Sequence, residues 1–259
     1  MSVSLNLSCS RLAYYEFNEV IDSLPNTIGN YQLKMPLGGG AQGFVGLYLD
    51  RHSNKDVAIK ITQVQDEEDE DNDDNDLLLD AENEVEMLEK VKHIPCAQQF
   101  IETFPVTSEQ MAIVTEYAGD RLLDVVQSQK LPVSVIKDIT RQFLLLAKAL
   151  EKEGIVHGDA LISNTCLLEG KIRVIDWANG FNSTRTSENL YNIAGAFFEM
   201  FTRTFPSNDS ECFFMEWTSE QYPNLADGEL ECLNDLFWEM RACEGTPDEA
   251  LNHLDLLRT

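Results

Sequence analysis

The stretch HGDALISN at 157–164 and the shorter VIDW at 174–177 decide the fold and the chemistry expected of this chain. The first contains Asp159 five positions before Asn164, and the second is an apolar, strand-like run that leads to Asp176. A loop of this spacing places a general base and two Mg²⁺ ligands around a phosphoryl group in transfer. The sequence therefore predicts a phosphoryl-transfer site in the second half of the chain.

Each polar residue of this loop has a predicted role. Phosphoryl transfer depends mostly on positioning and on neutralising charge. Asp159 would orient the acceptor hydroxyl and remove its proton, while Asn164 and Asp176 would hold the Mg²⁺ ions. We interpret His157 as a hydrogen-bonded structural histidine, because the aspartate already supplies the base in this motif.

A glycine-rich stretch, GGGAQGFV at 38–45, lies between two strand-like segments. Gly38, Gly40 and Gly43 would let a hairpin approach the phosphates of ATP closely and would offer backbone N–H donors. A plain glycine-rich turn is the alternative. A dinucleotide-binding βαβ unit is disfavoured, because the stretch joins two strands and does not join a strand to a helix.

Lys60 ends the apolar run VAIK at 57–60. A strand that pairs back on the glycine hairpin would carry this lysine to the α- and β-phosphates of ATP. A helix carboxylate must then hold the ammonium group. Glu84 is best placed for that on the helix expected over 79–91, and Glu86, which points elsewhere on that helix, is the second choice.

The charge of the chain restricts its partners. Its 259 residues carry a formal net charge of −26, while the hydrophobic content of 43% is that of an ordinary globular protein. An acidic surface repels nucleic acids and anionic membranes. We therefore expect no nucleic-acid partner and favour a protein substrate with a basic surface.

Cysteine usage favours a reducing compartment, and hydropathy predicts neither a membrane span nor a secretory signal peptide. The six cysteines show no C-x-x-C pair and no metal-ligand spacing, so we expect reduced thiols in a cytoplasmic protein. No run approaches the ~18 apolar residues that a membrane span needs. The N-terminus lacks the basic start and the apolar stretch of a secretory signal peptide. It is rich in Ser and Asn, which a bacterial injection apparatus would tolerate, so delivery into a host-cell cytoplasm is the alternative.

The first part of the chain is expected to be rich in strands. Residues 1–30 form a lead-in segment with one short helix, and strands follow at 31–37, 44–50 and 56–62. The acidic run at 66–76 repels itself and cannot bury surface, so we expect a disordered insertion there. A Ca²⁺ site and a docking segment for a basic partner are the alternatives.

Helices are expected to dominate the rest of the chain. A helix at 79–91 and strands at 98–104 and 111–116 are followed by three apolar stripes at helical spacing. Near the C-terminus, Thr246 stands three positions before Glu249. This spacing predicts a capping box at the start of the last helix.

Together these elements resemble the eukaryotic protein-kinase superfamily, from about residue 31 to the C-terminus. The resemblance implies an α+β, bilobal protein-kinase-like fold. Its N-lobe, at 31–118, would be a small antiparallel β-sheet with one main helix, and its C-lobe, at 119–259, would be helical and truncated. It also implies ATP and Mg²⁺ as cofactors.

The resemblance extends to the residues around adenine. The stretch MAIVTEYA at 111–118 looks like the fifth strand and hinge of the family. Thr115 would be the gatekeeper, and Glu116 and Ala118 would offer backbone groups to the base. The residues that would enclose the adenine ring are Val45, Ala58 and Cys166.

The chain departs from the family pattern around its catalytic loop, the HGDALISN stretch at 157–164, which resembles the family's loop of that name. Gly158 stands where many members carry an arginine that pairs with a phosphorylated activation loop, and Trp177 and Ala178 replace the family's Phe and Gly. Only ten residues, 179–188, precede the segment that resembles the family's central buried helix, and no A-P-E motif occurs in the chain. We therefore expect an activity that is not switched by activation-loop phosphorylation.

Three functional hypotheses follow. The first is an active Ser/Thr protein kinase, most similar to the compact effector kinases, acting in virulence, that pathogenic bacteria inject into host cells. The second is a binding module on a kinase scaffold, with a protein partner that supplies the missing docking platform or activates the enzyme. The third is a small-molecule phosphotransferase, because HGD and IDW look like motifs of aminoglycoside and choline kinases and Leu161 replaces a lysine usual in protein kinases. An HGD loop that ends in Ser-Asn is likewise similar to the small kinases of the tRNA-modification complex.

Overall fold

The structure is a computed structural model. It describes residues 24–40, 43–63, 75–204, 214–243 and 245–257. The helix predicted in the lead-in segment and most of the acidic insertion lie outside the described residues.

By its internal contacts the chain divides into two compact units. The units comprise, first, Met1–Asp69 with Glu102–Tyr117 and, second, Glu70–Ile101 with Ala118–Thr259. The first unit ends next to the predicted boundary at residue 118, while the helix that follows the acidic run groups with the second unit.

The first unit is built on a β-sheet, which confirms the predicted small sheet. Six strands lie in the spatial order β1-β2-β3-β4-β6-β5, and the neighbours from β1 to β6 pair antiparallel. Their bounds are β1 Thr27–Ile28, β2 Tyr31–Gly40, β3 Gly43–Asp50, β4 Lys55–Gln63, β5 Phe100–Pro105 and β6 Gln110–Glu116.

The alternation of side chains along β4 shows why this sheet forms. Successive side chains of a strand point to opposite faces, so Val57, Ile59 and Ile61 share one face. All three are buried, and they belong to one apolar cluster with Tyr48 and Val114 from the neighbouring strands. Burial of such β-branched residues supplies the main driving force for sheet packing.

The second unit is mainly helical. The helices in its described part are α1 Asn75–Val91, α2 Leu122–Ser128, α3 Val133–Glu153, α4 Glu188–Thr202, α5 Phe214–Gln221, α6 Asp227–Arg241 and α7 Pro247–Leu256. None of the helices in the described residues is both long enough and apolar enough to cross a membrane.

Helix α1 begins earlier than predicted. We expected the helix from residue 79 and a disordered insertion up to residue 76, but α1 starts at Asn75 and includes Asp76. The prediction for these last two residues of the insertion was therefore wrong. Acidic side chains in the first turn interact favourably with the partial positive charge of a helix N-terminus. For that reason an acidic run can continue directly into a helix.

The apolar stripes predicted for the helical part are confirmed as core positions. Along α3 the buried residues of the stripe are Ile136, Ile139, Phe143, Leu146 and Leu150. Helix α4 is buried on most of its circumference, and its Phe198 lies among the rings of Phe214 and Phe237.

The capping box at the start of α7 is also confirmed. The backbone N–H of Glu249 donates to the Thr246 hydroxyl at 3.3 Å, and the Glu249 carboxylate accepts the Thr246 N–H at 2.8 Å.

Replacing Glu199 by glutamine should stabilise the protein above neutral pH. Burial on α4 raises the pKa of this carboxyl from 4.5 to about 7. Because the folded-state pKa is the higher one, folding disfavours the ionised form, and stability is lost as the pH rises from 4.5 through 7. The Glu199→Gln variant has no charge to bury, so its free energy of unfolding should rise by roughly 2 kcal/mol near pH 8 and by little near pH 5. Urea unfolding at the two pH values measures this, and an equal change at both would contradict the explanation.

Candidate functional site

Two small sheets hold the ends of the HGDALISN loop in the second unit. Strand β8 (Ile155–Val156) leads into the loop and pairs with β11 (Phe181–Asn182). Strand β9 (Thr165–Leu168) leaves it and pairs antiparallel with β7 (Asp120–Arg121) on one side and with β10 (Lys171–Val174) on the other. Strand β10 runs directly to Asp176. The loop and Asp176 are therefore fixed on neighbouring strands of the same unit.

Asp159 and Asn164 are brought into direct contact. The Asn164 side-chain amide donates to the Asp159 carboxylate at 2.7 Å and to the Asp159 carbonyl at 3.1 Å. The backbone N–H of Ile175 donates to the Asn164 carbonyl at 2.9 Å, which links the loop to the residue before Asp176. Asn164 thus orients the carboxylate of the predicted base.

The electrostatics of this cluster suit a divalent cation. Burial is the main cause of a raised pKa at Asp159; the hydrogen bond from Asn164 lowers it and the negative charge of Asp176 raises it. Asp176 has φ of 62°, a left-handed conformation that is uncommon outside glycine. Mg²⁺ prefers carboxylate and amide oxygens such as those of Asp176 and Asn164, and its positive charge would offset the repulsion between Asp176 and Asp159. These residues therefore fit the metal that the sequence predicts.

His157 is buried, and both of its ring nitrogens lie within hydrogen-bonding distance of backbone groups in and next to the loop. Its Nδ1 accepts the backbone N–H of Asp159 at 3.2 Å, and its Nε2 lies 3.1 Å from the Ile175 carbonyl. Burial lowers the pKa of the imidazole to about 4, so the ring is neutral at physiological pH and Nε2 is the protonated nitrogen. These contacts agree with the structural role that we assigned to this histidine.

Asn189 is a positioning residue that the sequence did not predict. It lies buried in the first turn of α4, accepts the His157 backbone N–H at 3.1 Å and donates to the Ile155 carbonyl at 2.9 Å. A polar residue at the start of an otherwise apolar helix was the available signal. Its partners, more than 30 positions away, could not be identified from spacing.

Trp177 anchors the segment after Asp176. The indole is fully buried, its N–H donates to the Val174 carbonyl at 3.1 Å, and its ring contacts the His157 ring at 4.4 Å between centroids. A tryptophan with its N–H paired fits a buried site better than one left unpaired. The residue that departs from the family pattern is therefore a well-packed part of the site.

In the first unit, the strands bring several of the predicted nucleotide-binding residues together. Gly38 lies opposite Val45, and Val45 lies opposite Lys60. Ala58 lies opposite Thr115, whose buried hydroxyl donates to the Ala58 carbonyl at 3.4 Å. These five residues lie on four neighbouring strands of the sheet, β2, β3, β4 and β6.

Gly43 meets a strict steric requirement in the glycine-rich hairpin, where it pairs with Gly40. Its φ is +131°, and a Cβ there would lie 2.1 Å from the Ile61 carbonyl oxygen. Only glycine fits such a close approach of two strands.

The carboxylates of α1 differ in a way that favours the first choice for the lysine partner. Glu84 is buried, whereas Glu86 is exposed and pairs with Lys90 at 2.5 Å. Lys60 belongs to the first unit and Glu84 to the second, so their pairing stays a prediction.

The remaining adenine-site residues differ in exposure. Glu116 ends β6 and is exposed, whereas Ala118 and Cys166 are buried. Burial raises the pKa of the Cys166 thiol to about 12, so this cysteine behaves as an apolar residue. The placement of these three residues around adenine stays a prediction.

The fold and the loop define a phosphotransferase-type domain, and a comparison with known families identifies it. The chain belongs to the protein kinase domain family, whose model matches residues 31–200.

Several curated relatives are protein kinases at modest identity. The chain is 26% identical over 153 residues to the serine/threonine-protein kinase max-2 of Caenorhabditis elegans, an alignment that covers 58% of this chain and 22% of the relative. It is 28% identical over 155 residues to the serine/threonine-protein kinase MST20 of Pyricularia oryzae, covering 60% of this chain and 16% of the relative.

A shorter match has higher identity. The chain is 39% identical over 75 residues to the KEOPS complex subunit Bud32 of Pyrococcus abyssi, covering 29% of this chain and 33% of the relative. In all three cases the alignment spans a third or less of the relative's own length.

Proposed function

We propose that this chain is an Mg²⁺- and ATP-dependent protein kinase that phosphorylates serine or threonine and needs no activation-loop phosphorylation. The family membership and the relatives named as serine/threonine-protein kinases support this class of reaction. The presence of Lys60, Asp159, Asn164 and Asp176 supports an active enzyme.

The observation that carries the proposal is the hydrogen bond from the Asn164 amide to the Asp159 carboxylate at 2.7 Å. It fixes one carboxylate oxygen and leaves the other to accept the proton of an acceptor hydroxyl. A raised pKa makes this carboxylate a stronger base than a solvated aspartate. Asp159 is therefore the proposed catalytic base.

The proposed metal ligands are Asn164 and Asp176. Asn164 turns its amide nitrogen to Asp159, so its amide oxygen is the atom that would face the ion. When bound, Mg²⁺ supplies positive charge that offsets the charge of the transferring phosphoryl group.

The nucleotide would be held by residues from the β-sheet and the hinge. Backbone N–H groups near Gly38, Gly40 and Gly43 would contact the phosphates, and Lys60, with Glu84 as its partner, would neutralise their charge. The residues proposed to surround adenine are Val45, Ala58, Thr115, Glu116, Ala118 and Cys166.

The acceptor and the setting are part of the proposal. The net charge of −26 favours a protein substrate with a basic surface. We also propose that the cysteines are reduced and that the kinase acts in a cytoplasm, either that of its own cell or that of a host cell into which it is delivered as an effector. This setting agrees with the sequence features that resemble injected bacterial kinases.

Whole-cell lysate with labelled Mg-ATP tests the proposal directly. Wild-type protein should label a small set of proteins on serine or threonine, identified by mass spectrometry, and Asp159→Ala should label none of them. Asp235→Asn, which changes an exposed aspartate on α6, is the matched control and should label the same set. Absence of any label that depends on Asp159 would contradict the kinase proposal.

The second candidate is a subunit that works through a partner, and the match to Bud32 favours it. That relative is named as a subunit of a complex, and its match, at 39% identity, exceeds the two longer matches in identity. Asp159→Ala separates the two cases when its protein partners are identified by pull-down from lysate and its effect in cells is compared with that of wild type. A cellular effect that survives the substitution favours a scaffold, and a cellular effect that is lost favours catalysis. Phosphorylation of an alcohol or an aminoglycoside in place of any protein would favour a small-molecule kinase.

A further inference from the structure

The turn that follows Asp176 is tied to helix α1 by one side chain. The Asn83 amide nitrogen donates to the Ala178 carbonyl at 2.6 Å and to the Gly180 carbonyl at 2.8 Å. A primary amide carries two N–H donors, and these two carbonyls use both of them. The reverse orientation of the amide would set an oxygen against two carbonyl oxygens, so the partners themselves fix the assignment.

The turn itself is compact and packs against α1. The Gly180 N–H donates to the Trp177 carbonyl at 2.9 Å, which closes the turn. A Cβ on Gly180 would lie 2.9 Å from the Met87 side chain, so the backbone of the turn rests directly on the helix. Lys90, one helical turn further along, reaches the Asn182 side chain at 3.2 Å. Helix α1 therefore contacts the segment from three successive turns, through Asn83, Met87 and Lys90.

The opposite side of the turn rests on the catalytic loop. Gly158 has φ of +82°, and a Cβ there would lie 2.6 Å from the Asn179 carbonyl oxygen. Trp177 is fixed by its hydrogen bond to Val174. The turn is consequently held between the residue before Asp159 and the face of α1 that carries Asn83.

We propose that Asn83 is a positioning residue that ties α1 to the segment bearing Asp176. Through this tie the fold itself holds Asp176 in its catalytic position. The inference rests on the proposed kinase function and deepens it by naming what takes the place of a phosphorylated activation loop. Asp176 lies two positions before the first carbonyl that Asn83 holds, and Glu84, the predicted partner of Lys60, is the next residue on the helix. One amide thus couples the placement of both carboxylates.

Substitution of Asn83 tests the coupling against a neighbouring position. The variants are Asn83→Ala, which removes both donors, and Asn83→Asp, which keeps the shape but sets a carboxylate against two carbonyls. Glu82→Ala is the matched control, because Glu82 is the exposed preceding residue of the same helix. Alanine is the best helix former, so a loss in Asn83→Ala cannot come from a weaker helix. Should Asn83→Asp fail to fold, Asn83→Ala carries the test.

Amide hydrogen exchange of residues 176–182 is the first measurement. We expect exchange to be about tenfold faster in Asn83→Ala than in Glu82→Ala, since the segment loses the donors that hold it. We also expect kcat at saturating Mg-ATP to fall about tenfold or more relative to the control, because a misplaced catalytic group slows the chemical step. Thermal unfolding of both variants shows whether global stability explains either change.

The outcomes separate this inference from the kinase proposal. Exchange equal to that of Glu82→Ala overturns the inference, whether or not the protein is a kinase. Faster exchange with kcat equal to the control also overturns it, because Asn83 would then be a structural tie without a role in positioning. If wild type transfers no phosphoryl group, the kinase proposal fails, and hydrogen exchange alone decides whether Asn83 holds the segment.

Discussion

An Asp159→Asn variant should lose phosphoryl transfer by a factor of about 10² to 10⁴, the contribution typical of a positioned general base. Asparagine keeps an oxygen where the Asn164 amide donates at 2.7 Å, so the loop should keep its shape. What the variant lacks is the negative charge and the ability to take a proton. Steady-state kcat with a substrate found in the lysate experiment measures the effect.

The isosteric change distinguishes chemistry from folding. Thermal unfolding of Asp159→Asn should occur at a temperature no lower than that of wild type, because burial raises the pKa of this aspartate and a neutral side chain has no charge to bury. Asp235→Asn, at an exposed position, should leave both kcat and stability unchanged. A variant that folds normally and retains more than a tenth of wild-type kcat would exclude Asp159 as the base.

The parts of the site that the sequence predicts well are those in which the chemistry is local. Asp159 and Asn164 lie on one short loop, so their spacing alone indicates contact, and the structure has them hydrogen-bonded. The strands that carry Val45 and Lys60 follow each other in the chain, so their pairing follows from a hairpin. Local spacing and alternation therefore suffice for these elements.

The supporting residues could not be predicted in this way. Asn189 contacts His157 across 32 positions, and Asn83 contacts Ala178 across 95 positions. Both side chains bind backbone groups, which every residue possesses, so no pattern of side chains marks the partners in advance. The start of α1 at Asn75 was missed for another reason, since acidic residues are compatible both with a disordered loop and with the first turn of a helix.

Gly158, which stands where many family members carry an arginine, is also required for steric reasons. The sequence relates the missing arginine to the missing activation segment. In the structure, Gly158 also has φ of +82° and lies so close to the Asn179 carbonyl that a Cβ would be 2.6 Å from its oxygen. Any side chain here would strain the backbone and push the turn away from the catalytic loop.

Gly158→Ala should therefore reduce both stability and activity. The left-handed backbone alone costs an alanine about 1–2 kcal/mol, and relief of the contact must displace the loop next to Asp159 or the turn next to Ala178. Gly170→Ala is the matched control, because Gly170 has φ of +78° but nothing within 4 Å of the position of a Cβ. Both variants should lose similar stability from backbone strain, while Gly158→Ala should lose more and should in addition lose about tenfold or more in kcat. Gly158→Arg, which would restore the residue usual in the family, should be no more active than Gly158→Ala. If the two alanine variants match each other in urea unfolding and in kcat, the contact with Asn179 is not what requires glycine at this position.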